Sequence, residues 1–165
     1  MTTTSADSSL VSRRQWAQLA AVGLASAASW NACASGSHLP STTSLPQSLQ
    51  QALQRQQPLM VMVSLEGCAF CKVVRENYLL PLQRQGQPVV QLNMRDKTEV
   101  LGLDGVVQSQ DAWVRQQQIK IAPTVLFFGQ QGKEVAKRLN GAYLPDFYNA
   151  YLEEQLAIAR QAVLR

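Results

Sequence analysis

Three segments rich in apolar residues dominate the hydrophobic pattern of the chain. They cover residues 59–65, 89–94 and 124–128, and each is short for a buried helix. Segments of this length and composition are typical of strands that are buried on both faces of a sheet. A fourth strand is predicted at 134–139, where the chain returns after a glycine-containing turn at 129–132.

Helical spacing of apolar residues predicts four helices, at 48–57, 72–80, 111–118 and 145–162. Pro58 and Pro81 are expected to end the first two, because proline breaks helical hydrogen bonding. The last helix carries an apolar stripe, widened by two aromatic residues, at Leu144, Tyr148, Leu152, Leu156, Ala159, Val163, Phe147 and Tyr151. The segment at 100–110 is predicted to be a loop. This order of elements predicts an α/β fold, with a central mixed sheet of four to five strands and helices on both faces.

The first 34 residues have the pattern of an export signal. A polar start is followed by Arg13-Arg14, a short and weakly apolar run at 19–28, and small residues around Cys33. The arginine pair resembles the twin-arginine export motif. Cys33 is either cut away with the signal or acylated as the acceptor of a lipoprotein. We therefore expect a periplasmic protein, soluble or lipid-anchored, that meets the membrane only through an anchor at Cys33.

Residues 35–47 are rich in serine, threonine and proline, which is typical of a flexible linker. His38 lies in this segment without neighbouring ligands, so no metal-binding or catalytic role is expected for it. The remaining residues, 48–165, are predicted to form one domain. The net charge of +4 is scattered along the chain, and no basic stripe with aromatic residues indicates nucleic-acid binding.

The cysteines carry the strongest chemical signal. Once Cys33 is cut away or acylated, only Cys68 and Cys71 of the three cysteines remain. In an exported protein, such a closely spaced pair favours catalysis over a structural disulfide. At the start of a helix, Cys68 would be stabilised as a thiolate by unpaired backbone N–H groups, which makes it the expected nucleophile. Cys71, one turn further and more buried, is the expected resolving thiol. No cofactor beyond this redox-active disulfide is expected.

Four local sequences, at 67–72, 91–94, 121–128 and 139–142, together resemble the thioredoxin superfamily over roughly residues 45–160. The resemblance implies a cis bond between Ala122 and Pro123. It also implies a surface at Ala122, Pro123 and Gly141 that binds the substrate. The chain departs from thioredoxin between its cysteines, where it has Ala-Phe instead of Gly-Pro. It also has Met62 at the position of a buried acid.

The resemblance implies an exported thiol-disulfide oxidoreductase, a reductase rather than an oxidase. Its partners would be protein thiol or disulfide clients and a membrane electron donor. Lys72 and Glu66 lie beside the cysteines, but each is expected to be an ordinary surface charge. Two other functions stay open: a copper or zinc metallochaperone, and a binding module that does not turn over. Two thiolates alone make an incomplete zinc site.

Overall fold

A computed structural model describes residues 38–142 and 145–165. The chain divides into two units, 1–34 and 35–165. The predicted export signal, with Cys33, lies outside the described residues, and so does Leu144 of the predicted helical stripe. Within the described part, no helix has the length and apolar character needed to cross a membrane.

The described residues form five α-helices and six strands, joined by one π-helical and one 3₁₀ turn. In chain order they are α1 Leu45–Gln54, β1 Leu59–Ser64, α2 Ala69–Val74, a π-helical turn Arg75–Leu79, α3 Leu80–Arg84, β2 Val89–Asn93, β3 Glu99–Leu101, β4 Val107–Ser109, α4 Gln110–Gln116, β5 Thr124–Phe128, a 3₁₀ turn Gln130–Gly132, β6 Leu139–Asn140 and α5 Pro145–Val163.

Four strands form a mixed sheet in the order β2-β1-β5-β6. The central strand β1 runs parallel to β2 and antiparallel to β5, with Val63 opposite Thr124 and Met62 opposite Gln91. β6 pairs antiparallel with β5. Strands β3 and β4 form a separate antiparallel hairpin. The predicted mixed sheet is confirmed.

Alternate residues of the strands feed two apolar layers, one on each face of the sheet. The cysteine layer, beneath α2, α3 and α5, contains Leu39, Met60, Met62, Cys71, Val74, Leu79, Leu80, Val89, Val125, Phe127, Ala142, Tyr148, Leu152, Leu156 and Ala159. The tryptophan layer, beneath α1 and α4, contains Leu45, Leu49, Ala52, Leu59, Val61, Val63, Val90, Leu92, Val100, Trp113, Val114, Ile119, Leu126 and Phe128. Every residue of β1 and β5 is buried, which explains why both read as continuous apolar runs.

The predicted flexible linker is wrong for the described residues from 38 onward. Leu39 is buried in the cysteine layer. The backbone N–H of Gln91 donates to the carbonyl of Pro40, and the N–H of Leu101 donates to that of Thr43. These contacts pair the segment with β2 and β3 through main-chain groups, which leave no apolar pattern in the sequence. The domain therefore begins before residue 48.

The first helix also begins earlier than predicted. Ser44 caps α1, since its side-chain oxygen accepts the backbone N–H of Gln47 at 3.3 Å. Leu45, the first helical residue, is fully buried. The serine-rich composition that suggested a linker thus supplies a helix cap.

Pro81 does not end the helix that follows the cysteines. The π-helical turn Arg75–Leu79 precedes it, and Pro81 lies in the first turn of α3. The backbone N–H of Leu80 donates to the carbonyl of Arg75, five residues back. A π-helical turn locally shifts the hydrogen-bond pattern, so the chain accommodates a residue without an N–H and continues as a helix.

Three smaller predictions differ from the structure. The predicted loop at 100–110 contains the β3–β4 hairpin. The predicted strand at 134–139 is reduced to a single bridge between Phe128 and Glu134, followed by β6. Phe147 and Tyr151, which were expected to widen the buried stripe of the last helix, are 58% and 50% exposed. The rest of that stripe, where the structure describes it, is buried.

Candidate active site

The two cysteines lie where the chain leaves β1 and enters α2. Gly67 takes a positive φ of 72°, a conformation that costs glycine little, and turns the chain after the strand. Cys68 then occupies the N-cap of α2 with an extended backbone. Its Sγ accepts the backbone N–H of Cys71 at 3.1 Å. The two residues form a disulfide, with their Cα atoms 5.2 Å apart.

The two sulfur-bearing residues differ in access. Cys68 is partly exposed, whereas Cys71 is 1% exposed and belongs to the cysteine layer. A reacting sulfur from outside can therefore approach Cys68 more readily than Cys71. The backbone N–H at Cys68 Sγ places a positive dipole where a thiolate would carry its charge. This geometry suits an attacking thiol at Cys68 and a resolving thiol at Cys71.

The Ala122–Pro123 peptide bond is cis. It immediately precedes β5, and Val63 near the end of β1 pairs with Thr124 at the start of β5. The cysteine turn and the proline therefore lie at the same end of neighbouring strands. Cys68 and Ala122 both pack, partly buried, against the cysteine layer.

Gly141 lies against the same segment. Its backbone N–H donates to the carbonyl of Pro123 at 2.7 Å, and its φ is 72°. The hydroxyl of Thr124 donates to the carbonyl of Ile121 at 2.7 Å. The structure thus places all five predicted site residues at the same end of the sheet: Cys68, Cys71, Ala122, Pro123 and Gly141.

The neighbouring charged residues lie as predicted at the surface. Glu66 and Lys72 are both exposed. Met62, at the position of thioredoxin's buried acid, is fully buried in the cysteine layer. The cysteine layer, to which Cys71 also belongs, therefore has a thioether at this position, and a thioether does not take up a proton.

Two tyrosines contact each other in the cysteine layer, where Tyr148 is buried and Tyr78 packs against it. The rings of Tyr78 and Tyr148 lie 5.0 Å apart. The hydroxyl of Tyr148 is buried, and no described residue is its hydrogen-bond partner. Burial, with a smaller contribution from Tyr78, raises the pKa of Tyr148 above the ordinary tyrosine range.

A polar cleft beside Cys68 was not predicted from the sequence. It has a volume of about 1020 Å³ and lies between the cysteine turn and the end of β2. Arg75 lines it, seven residues after Cys68 and on the same side of the helix. That helical spacing was visible in the sequence, but Gln91, which holds the Arg75 side chain, comes from a different strand.

The described residues contain no group of three or more histidine, cysteine, aspartate or glutamate side chains arranged to hold a metal ion. His38 lines the polar cleft.

A family model for a thioredoxin-like domain matches residues 45–156 of the chain. No curated protein matches the sequence.

Several solved structures are similar in fold. The periplasmic thioredoxin SoxS of Paracoccus pantotrophus is 21% identical, with 62% of this chain and 99% of that one covered, at a TM-score of 0.42. Mitochondrial thioredoxin 3 of Saccharomyces cerevisiae is 15% identical, with 72% and 93% covered, at a TM-score of 0.48. A thioredoxin-fold protein from Helicobacter pylori is 16% identical, with 66% and 83% covered, at a TM-score of 0.44.

Proposed function

The chain belongs to the family of thioredoxin-like domains, and from its paired cysteines we propose that it is a thiol-disulfide oxidoreductase acting on protein clients. The observation that carries this proposal is the asymmetry of the pair. Cys68 is partly exposed, and its Sγ accepts a backbone N–H at the start of α2. Cys71 is buried in the cysteine layer and forms the disulfide with Cys68 from there. A purely structural disulfide requires no such difference in access.

In the reducing direction, the Cys68 thiolate attacks one sulfur of a client disulfide. The client's S–S bond breaks, a Cys68–client disulfide forms, and the other client sulfur leaves as a thiolate that takes up a proton. The Cys71 thiol then loses its proton, and its thiolate attacks Cys68 Sγ and displaces the second client thiol. The client gains two electrons and two protons, and the protein is left with the Cys68–Cys71 disulfide.

Ala122, Pro123 and Gly141 are proposed to bind the client segment next to the reacting sulfur. A proline offers no backbone N–H, so the adjacent edge of the chain is free of one donor that would otherwise seek a partner. Support comes from their position at the cysteine end of the sheet and from the Gly141–Pro123 hydrogen bond. An extended client chain laid along Ala122 would bring its disulfide towards Cys68.

The direction and the compartment are further parts of the proposal. We expect a periplasmic reductase, soluble or anchored at Cys33, that needs no cofactor beyond its own disulfide. A dithiol donor at the membrane would return the pair to the reduced form by the same exchange chemistry. The support for the compartment is the pattern of residues 1–34.

The test is to trap the mixed disulfide with a disulfide-containing client protein. In the full chain carrying Cys33→Ser, Cys71→Ser should accumulate a covalent complex with the client that dithiothreitol releases. The matched variant Cys68→Ser should form little or none, because the remaining thiol is buried. Equal trapping by both variants, or by neither, would contradict the proposed roles.

A further inference from the structure

The cleft beside Cys68 lies on the opposite side of the cysteine turn from the cis-proline. In the order β2-β1-β5-β6, the cleft is built at the end of β2, whereas Pro123 precedes β5. Cys68 lines the cleft, but Ala122, Pro123 and Gly141 do not. A client that lies across Cys68 would therefore meet two different surfaces, one on each side of its reacting sulfur.

Arg75 is held in this cleft with part of its hydrogen-bonding capacity unused. Its Nη1 donates to Oε1 of Gln91 at 3.2 Å, and Nε2 of Gln91 donates to Oδ1 of Asn93 at 2.9 Å. The Nε atom of Arg75 is buried and has no acceptor among the described residues. Buried donors are rarely left in this state. Arg75 as a whole is partly exposed and lines the cleft, so its guanidinium presents a positive charge and hydrogen-bond donors to a carboxylate that enters there.

The charged side chains around Arg75 make the cleft differ further from the surface on the cis-proline side. Lys72, Arg95 and Lys97 line the same cleft, against two acidic residues, Glu66 and Asp96. The only ion pairs among the described residues, Arg115–Asp111 and Arg138–Glu134, do not involve these side chains.

The two acids offset only part of the charge of the four basic residues that line the cleft. Asp96 accepts the backbone N–H of Thr98 at 2.8 Å, and this hydrogen bond lowers the pKa of its carboxyl group, which keeps its negative charge. Glu66 is exposed to solvent. The cleft therefore presents a net positive charge beside the reactive sulfur.

We propose that this cleft binds a carboxylate-bearing segment of the protein client, next to the disulfide that Cys68 attacks. This inference rests on the proposed function and names its substrate class: disulfides flanked by aspartate or glutamate. The same positive charges also favour the client thiolate that leaves during the attack. Charge complementarity of this kind raises the rate of encounter and selects among partners.

The test compares three peptide disulfides that differ only in the residues beside the cystine: acidic, neutral amide and basic. The reduced full chain carrying Cys33→Ser is mixed with each peptide, and the second-order rate constant is measured by stopped flow. The acidic peptide should react faster than the neutral one by about tenfold at low salt, and the advantage should shrink as ionic strength rises. Arg75→Gln and Lys72→Gln should each reduce the ratio of acidic to neutral rates. Using a ratio removes any general change in the reactivity of Cys68.

The matched control is Arg84→Gln. Arg84 is an exposed arginine near the end of the same helical segment and does not line the cleft. The ratio of acidic to neutral rate constants in Arg84→Gln should equal the ratio in the parent protein. Lys72 is exposed, so the Lys72→Gln variant keeps the test valid if Arg75→Gln fails to fold.

Two results would overturn the inference and leave the proposed function standing: equal rates for all three peptides, or a preference that survives in both cleft variants. Failure of every peptide to react would instead contradict the proposed function itself. Glutathione disulfide serves as a small carboxylate-bearing substrate. A loss in the cleft variants that is confined to glutathione disulfide would overturn the assignment to a protein segment.

Discussion

The two apolar layers that cover the sheet contain different kinds of side chain. The tryptophan layer is made of aliphatic residues and two aromatic residues, Trp113 and Phe128, whose rings meet edge-on at 6.4 Å. The cysteine layer holds Cys71 and the buried Tyr148, whose hydroxyl has no described partner. It also lies beneath the π-helical turn. The tryptophan layer serves only to pack the fold. The cysteine layer also packs the fold, but it contains one of the two reactive cysteines as well.

The largest expected effect is a loss of stability in the tryptophan layer. Trp113 is 1% exposed, so Trp113→Ala should lower the free energy of unfolding by about 3–5 kcal/mol. Because this layer lies on the other face of the sheet from Cys71, the oxidised and reduced forms should lose equally. Urea unfolding measures the first quantity. The reduction potential of the cysteine pair should stay within about 30 mV, which corresponds to roughly 1.4 kcal/mol.

The matched change in the other layer is Leu152→Ala. Leu152 is fully buried, and its loss should cost about 2–5 kcal/mol. Because Cys71 belongs to the same layer, we expect the reduction potential to move further than in Trp113→Ala. A larger shift of the reduction potential in Trp113→Ala than in Leu152→Ala would contradict the assignment of the redox chemistry to the cysteine layer.

A smaller effect should appear at alkaline pH through Tyr148. Burial raises its pKa in the folded state, so the folded protein keeps a proton that the unfolded chain loses. Stability should therefore be unaffected below about pH 10 and fall above it, by at most about 1.4 kcal/mol per pH unit. Denaturant unfolding of the oxidised protein at several pH values measures this slope.

Tyr148→Phe should remove that alkaline slope, and Tyr151→Phe provides the control. Tyr151 lies three residues along the same helix and is 50% exposed. Its substitution should leave the slope intact. An unchanged slope in Tyr148→Phe would show that another group is responsible.

The smallest effect on stability is expected at Phe70, which lies between the two cysteines and is 60% exposed. Phe70→Ala should change the free energy of unfolding by no more than about 0.5 kcal/mol. Exchange with a protein client should nevertheless slow by about fivefold, the equivalent of roughly 1 kcal/mol of lost apolar contact. Stopped-flow rates with the client and with dithiothreitol separate a contact with the client from a change in cysteine reactivity, since dithiothreitol has no polypeptide segment that could pack on the ring.

The control for Phe70 is Val107→Ala. Val107 is an equally exposed apolar residue, at 61%, in the β3–β4 hairpin. It should change neither rate. Equal slowing by both substitutions would mean that Phe70 has no special contact with clients.

The elements that could be predicted from sequence are those whose pattern of apolar residues reflects their burial. β1 and β5 are buried on both faces, so their apolar runs predicted them closely. The buried stripe of α5 was visible for the same reason. The close spacing of Cys68 and Cys71 indicated the candidate site because the spacing itself has a chemical meaning.

The features that escaped prediction depend on main-chain pairing or on residues from separate elements. The segment before α1 is held by backbone hydrogen bonds to β2 and β3, which any polar sequence could make. The helix continues past Pro81 only because a π-helical turn precedes it. The charged cleft needs Arg75 from the helix and Gln91 from β2 to meet, and only the folded chain brings them together.

The equilibrium reduction potential of the Cys68–Cys71 pair tests the proposed thiol-disulfide exchange and its direction together. The full chain carrying Cys33→Ser would be titrated against thiol-disulfide buffers, and the fraction of oxidised protein measured at each ratio. We expect one two-electron transition at a potential near that of thioredoxin, about −270 mV. A value near −120 mV would contradict the proposed reducing direction, and failure to form the disulfide at any ratio would contradict thiol-disulfide exchange altogether.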